Sequence, residues 1–156
     1  MSADRAGGRW DRRQRAREAA LRMLYEMEVG RLSPRDAAIL HPLVGDEEAI
    51  AFDDDESEQF AVRLAQGVWE HREPLDAIIA EASTNWRVER LSVLDRNVLR
   101  LAVREWLAEP ATPPRVVLDE AIDLARRYSG DQAARFVNGV LDGAFRRLRD
   151  EGKVVD

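Results

Sequence analysis

The side chains best suited to chemistry are arginines, and they crowd near one end of the chain. Between residues 5 and 22, Arg5, Arg9, Arg12, Arg13, Arg15, Arg17 and Arg22 stand against only Asp11 and Glu18. A guanidinium is a planar, always-charged fork of donors that matches phosphate oxygens in pairs. On a helix, Arg13 and Arg17 form one i,i+4 row, while Arg15 and Arg22 share another that faces away from the apolar positions. Between residues 46 and 58 the balance reverses, with Asp46, Glu47, Glu48, Asp53, Asp54, Asp55, Glu56 and Glu58 and no base. By itself this acidic stretch reads as a solvated loop. In a chain of net charge −6, the asymmetry points to a local polyanion site, with acidic residues elsewhere limiting nonspecific attraction. A solvated helix end would carry a similar arginine pattern, so both readings stand at this level.

Other chemistries find no support in the residues. There is no cysteine, which excludes disulfides, zinc ribbons and thiol catalysis. His41 and His71 are too few for most histidine metal sites and lack HExxH spacing. The neighbours Glu47-Glu48 and Asp119-Glu120 point about 100° apart on a helix and do not converge on one substrate atom. No P-loop, GxGxxG or nucleophile elbow occurs. No enzyme activity, metal or cofactor is expected. No apolar run nears the roughly 18 residues of a membrane span, and the start lacks a signal-peptide core, so a cytoplasmic protein without membrane contact is expected.

The elements that must position the arginines read as helices almost throughout. The chain has 156 residues, 45% of them hydrophobic and 35% charged, which suits one ordinary folded domain. Residues 1–11 read as a flexible basic arm, 12–150 as a single all-α domain and 151–156 as a loose tail. From Arg12 to Val29, the positions Ala16, Ala20, Met23, Leu24 and Met27 make an apolar stripe that Gly30 ends. Ser33-Pro34-Arg35-Asp36 opens a short helix that His41-Pro42 stops. Further stripes follow: Phe60, Leu64, Ala65 and Val68, then Leu75, Ile78, Ile79 and Ala82 after Pro74. Ser92-Val93-Leu94-Asp95 is a capping-box pattern leading into Leu94, Val98, Leu101, Ala102 and Leu107. Val117, Leu118, Ala121, Ile122 and Ala125 mark a helix that Gly130 would close. The last carries Ala133, Val137, Val140, Leu141, Ala144 and Leu148. With no stretch alternating as a strand does, the fold class is all-α, with about seven helices joined by short loops.

Three blocks of residues resemble a known family. Arg15-Ala16-Arg17-Glu18, followed by Ala20-Leu21 and Leu24-Tyr25, is similar to the opening helix of the NusB family of bacterial transcription antitermination proteins. Leu94-Asp95-Arg96-Asn97-Val98-Leu99-Arg100-Leu101-Ala102 resembles its central helix. Leu118-Asp119-Glu120-Ala121-Ile122-Asp123-Leu124-Ala125 and then Phe136-Val137-Asn138-Gly139-Val140-Leu141-Asp142 resemble its most specific segment. The resemblance spans about Arg12 to Leu148. It implies two small helical bundles packed together. It also implies binding of single-stranded boxA RNA in ribosomal RNA leader transcripts, jointly with the ribosomal protein NusE, within an RNA polymerase antitermination complex.

The same resemblance assigns roles. RNA contact passes by position to Arg13, Arg15 and Arg17, with Arg12 adjacent; Gln14 stands where the family often has a further basic residue. Tyr25 either offers its ring edge or hydroxyl to RNA or sits half-buried in the core. Phe136, beside Arg135, either stacks on an unpaired base or packs between helices. Asp95 matches an acidic position on the NusE-facing helix and can also cap with Ser92. Arg104 replaces a usual tyrosine and Asp119 a common asparagine. Asn138-Gly139 reads as structural, allowing close helix approach. Two other readings remain open: a helical protein-interaction module without direct RNA binding, and the RNA-binding accessory domain of a larger enzyme, against which the chain's length argues.

Overall fold

The computed structural model describes residues 2–30, 54–83 and 88–155. Six α-helices occupy these residues: α1 Ser2–Gly30, α2 Asp55–Glu70, α3 Arg72–Ala82, α4 Val93–Ala108, α5 Pro114–Ser129 and α6 Asp131–Asp150, with a 3-10 turn at Val88–Arg90. No strand occurs among the described residues, so the chain is all-α. The short helix expected after Ser33 and the acidic residues 46–53 lie outside them. The chain divides into two compact units, Met1–Trp69 and Glu70–Asp156.

In the first unit, α1 ends at Gly30, where the apolar stripe stops. Its backbone is already helical at Ser2, so residues set apart in sequence as an arm share one helix with the basic segment. No proline interrupts Ser2–Asp11, and Asp4 favours a helix start. The expected stripe of Ala16, Ala20, Met23, Leu24 and Met27 is buried, and Ala19 and Leu21 join it. Leu21 lies four residues after Arg17, so α1 is covered along a second row as well.

Helix α2 begins inside the acidic segment, so Asp55–Glu58 are helical where a loop is expected. The Asp54 carboxylate accepts a hydrogen bond from the Ser57 amide at 2.7 Å, capping the helix. Asp55, Glu56 and Glu58 fill the first turn, where the helix dipole favours negative charge. Phe60, Ala61, Leu64, Ala65 and Val68 form its buried face.

The second unit is built around α4, which packs against α3, α5 and α6. Because three helices cover it, α4 buries more than one stripe: Leu99, Val103 and Trp106 are inside with Val98, Leu101 and Ala102. Leu107, expected inside, is exposed instead, and Leu94 is half-buried. The Ser92 hydroxyl accepts from the Asp95 amide at 3.1 Å, as the capping pattern predicts. Trp106 donates its indole N–H to the Pro114 carbonyl at 3.1 Å and lies 5.2 Å from the Phe145 ring, tying α4 to both α5 and α6. Across α3 and α4, Arg100 grips Asp76 with Nε and Nη2, both at 2.7 Å, while its Nη1 donates to the Asn97 side-chain oxygen at 3.1 Å.

Gly130 joins α5 to α6 as a single residue with φ +94°, a conformation other residues adopt only under strain. At the end of α6, Gly152 has φ +72°. Its amide donates to Arg149 and the Lys153 amide to Leu148, which is a Schellman closure. Val154 is buried just beyond it, so the segment expected as a loose tail is tied back through Val154. The structural reading of Asn138-Gly139 is overturned: both are exposed, and a side chain at Gly139 would meet nothing within 4 Å. Gly143, one turn later, is the close approach, with its added Cβ 3.6 Å from that of Ala82.

Candidate nucleic-acid interface

The period of α1 sorts its arginines onto different surroundings. Arg12 and Arg15 are exposed, Arg13 is half-buried and Arg17 is buried, at 3% exposure. The row shared by Arg13 and Arg17 points at Phe60 of α2. The Arg13 guanidinium carbon lies 4.0 Å from the ring centroid, that of Arg17 at 5.7 Å, and that of Arg63 at 5.6 Å. Three cations thus surround one buried ring, whose electron-rich face attracts positive charge. Arg17 stands in this packed setting rather than in solvent. Its four-residue spacing from Arg13 puts both guanidiniums on the row that faces Phe60.

The first turn of α2 brings carboxylates to the same place. Arg13 donates from Nη2 to Glu56 Oε1 at 3.1 Å. Arg12 Nη1 lies 3.9 Å from Asp54 Oδ2, and these side chains remain 45% and 41% exposed. Arg12, Arg13, Asp54, Glu56 and Ser57 line a shallow cleft of about 390 Å³. The Asp54 carboxyl is held below the usual aspartate range, first by hydrogen bonds from the Ser57 hydroxyl and amide, then by the charges of Arg12 and Arg13. A polar cleft rimmed by fork-shaped cations can take a phosphate, provided the resident carboxylates give way.

Farther along α1, Tyr25 is 43% exposed, so its ring is not part of the core. The remaining candidates lie in the second unit. Arg135 is exposed on α6 and Phe136 beside it is half-buried. Asp95 is half-buried in the first turn of α4, where its amide is capped by Ser92 while its Oδ1 is buried without a hydrogen bond. Asp119 on α5, which is not one of the candidates, forms an exposed pair with Arg115 at 3.2 Å.

Sequence reasoning missed the part played by α2 in this cleft. Phe60 was legible as a core residue, but its role as a seat for guanidiniums was not. A signal existed: Glu56, Phe60 and Arg63 are spaced four and three apart and share one helical face. Which helix that face meets is a tertiary matter.

The class these features define is a helical protein with an arginine-rimmed polar cleft. No helix among the described residues is long and apolar enough to cross a membrane. Comparison with known proteins is more specific. Residues 14–146 match the NusB family, and the chain belongs to it. Transcription antitermination protein NusB of Symbiobacterium thermophilum is 39% identical over 140 residues, covering 88% of this chain and 91% of that protein. The structure of T. maritima NusB has a TM-score of 0.72 at 36% identity, covering 86% of this chain and 90% of that one. A crystal structure of antitermination factors NusB and NusE in complex with dsRNA has a TM-score of 0.73 at 25% identity, covering 88% and 98%.

Proposed function

We propose that this chain is a cytoplasmic transcription antitermination factor that binds boxA RNA of ribosomal RNA leader transcripts together with the ribosomal protein NusE, within an RNA polymerase antitermination complex. The observation that carries this reading is the arginine-rimmed cleft of α1, in a chain whose relatives include a NusB solved with NusE and RNA. Arg12, Arg13 and Arg15 contact phosphates. Arg17, packed near Phe60, positions the row from below. Tyr25 and the pair Arg135 and Phe136 add stacking and charge, and Asp95 belongs to the NusE-facing surface. An aromatic ring on an unpaired base contributes roughly 1–3 kcal/mol, enough to give sequence-dependent contacts weight beside phosphate contacts.

The test is an RNA shift assay with and without the ribosomal partner, comparing boxA with a scrambled sequence. Binding to boxA that exceeds binding to the scramble, and that strengthens with the partner, is expected. With about four phosphates neutralised, log affinity should fall with log salt at a slope near roughly −3. No shift of either RNA at low salt, with partner capture that survives ribonuclease, would leave a protein-interaction module instead.

A further inference from the structure

The carboxylates of the cleft are placed to compete with whatever anion enters it. Asp54 divides its two oxygens between two tasks: Oδ1 accepts the Ser57 amide at 2.7 Å and Oδ2 faces Arg12 at 3.9 Å. The cap anchors the carboxyl, so the charge near Arg12 is built into the first turn of α2 and does not swing on a free stem. Glu56 lies one helical step further and takes Arg13 at 3.1 Å, with 75% of its own side chain in solvent. Phe60 holds one face of the Arg13 guanidinium, leaving the donor edges as the part that must choose an acceptor.

From this arrangement we infer that Asp54 and Glu56 limit the affinity for RNA, acting as resident competitors of the phosphate at Arg12 and Arg13. The inference rests on the RNA-binding reading above. Exposed ion pairs are individually weak and exchange readily, so a phosphate can displace these carboxylates, but it gains only the difference between the two acceptors. A polyanion that offers phosphates alone therefore gains little. An RNA that also makes base contacts elsewhere on the protein gains enough to open the cleft. The carboxylates lower all binding by the same factor, so an RNA with phosphate contacts alone is held weakly while one with base contacts stays bound.

The test is the pair of substitutions Asp54→Asn and Glu56→Gln in the full chain, with Glu56→Gln alone as a second variant. Asparagine caps helices as well as aspartate does, and its side-chain oxygen can keep the Ser57 bond, so melting should stay near that of the unaltered protein. The control is Asp119→Asn with Asp123→Asn on α5, which removes the same charge and frees two arginines, Arg115 and Arg127, from exposed pairs. Binding of boxA and scrambled RNA is followed across a salt series. In the α2 double variant, scrambled RNA and boxA should both bind about tenfold more tightly, with the salt slope steeper by roughly 1. Glu56→Gln alone should give part of that change, and the α5 control should give none.

Scrambled-RNA affinity and slope equal to those of the unaltered protein would overturn the inference while leaving RNA binding in place. An equal gain in the α5 control would also overturn it, because net charge would then be the cause. If the unaltered protein binds neither RNA, with or without the ribosomal partner, the RNA-binding reading fails first and this inference falls with it.

Discussion

The guanidinium of Arg13 lies 4.0 Å over the centre of the Phe60 ring, and its Nη2 reaches Glu56 one turn earlier on the same helix. Helix α2 thereby meets this arginine with an aromatic face beneath it and a carboxylate at its edge. A long, flexible cation becomes a directed one, because each contact removes rotamers that an isolated arginine would sample. Phosphate contact from such a group loses less entropy than from a free side chain.

The Arg13–Phe60 contact should be measurable as a coupling. In a double-mutant cycle of Arg13→Met and Phe60→Leu, an interaction of about 0.5–1 kcal/mol is expected from urea denaturation. Phe60→Ala should cost far more, about 3–5 kcal/mol, because it also opens a cavity under α1. Additivity of the first two substitutions would show that the ring acts on Arg13 only as apolar filler.

Arg15 and Arg17 should separate into binding and folding. Arg15→Ala, at an exposed position, should leave melting unchanged and flatten the salt slope of RNA binding by roughly 0.7, the increment of one phosphate contact to a single strand. Arg17→Ala, at a buried one, should lower stability by about 1–2 kcal/mol through lost packing around Phe60. A destabilised Arg15 variant with an unchanged slope would reverse the assignment.

In the second unit, Arg100 depends on Asp76. Asp76→Ala strands a buried guanidinium and should cost about 3 kcal/mol, the lower end for breaking such a pair because Asp76 is partly exposed. Replacing both, as Asp76→Leu with Arg100→Met, should recover most of that loss, since apolar residues of similar size commonly substitute for buried ion pairs. Chemical denaturation of the two variants checks both statements. A double variant no better than Asp76→Ala would show that the Arg100 bond to Asn97, and not the charge pair, holds α4 in place.

Acid should act on Asp54 and Glu26 with opposite signs. Asp54 is held below the ordinary aspartate range, chiefly by the Ser57 hydrogen bonds. Its contribution is therefore complete above about pH 4 and fades as the pH falls further through its lowered value. Glu26 is pushed up, first by burial, with Arg22 opposing, and its Oε2 is buried without a hydrogen bond. Its charged form costs stability at neutral pH, and that cost disappears as the pH falls toward the ordinary glutamate range. Glu26→Gln should raise the melting temperature at pH 7, and the gap should close near pH 4. A gap constant with pH would locate the effect of Glu26 in packing.

Periodicity and end signals determined most of the helices. The stripe through Ala16, Ala20, Met23, Leu24 and Met27, the cap at Ser92, and the stop at Gly130 are local properties of short segments, and local properties are written in spacing. The arginine cluster and the family blocks were legible for the same reason, being order along the chain. Spacing carries no information about which faces meet, and the tertiary structure alone decided that. It turned Arg17 inward against Phe60 and made Asp54 a cap instead of a loop residue. It also left Asn138 and Gly139 in the open while Gly143 took the close approach to Ala82. A helix shows its partner one side and the solvent another, and only the packed partner settles which side is which.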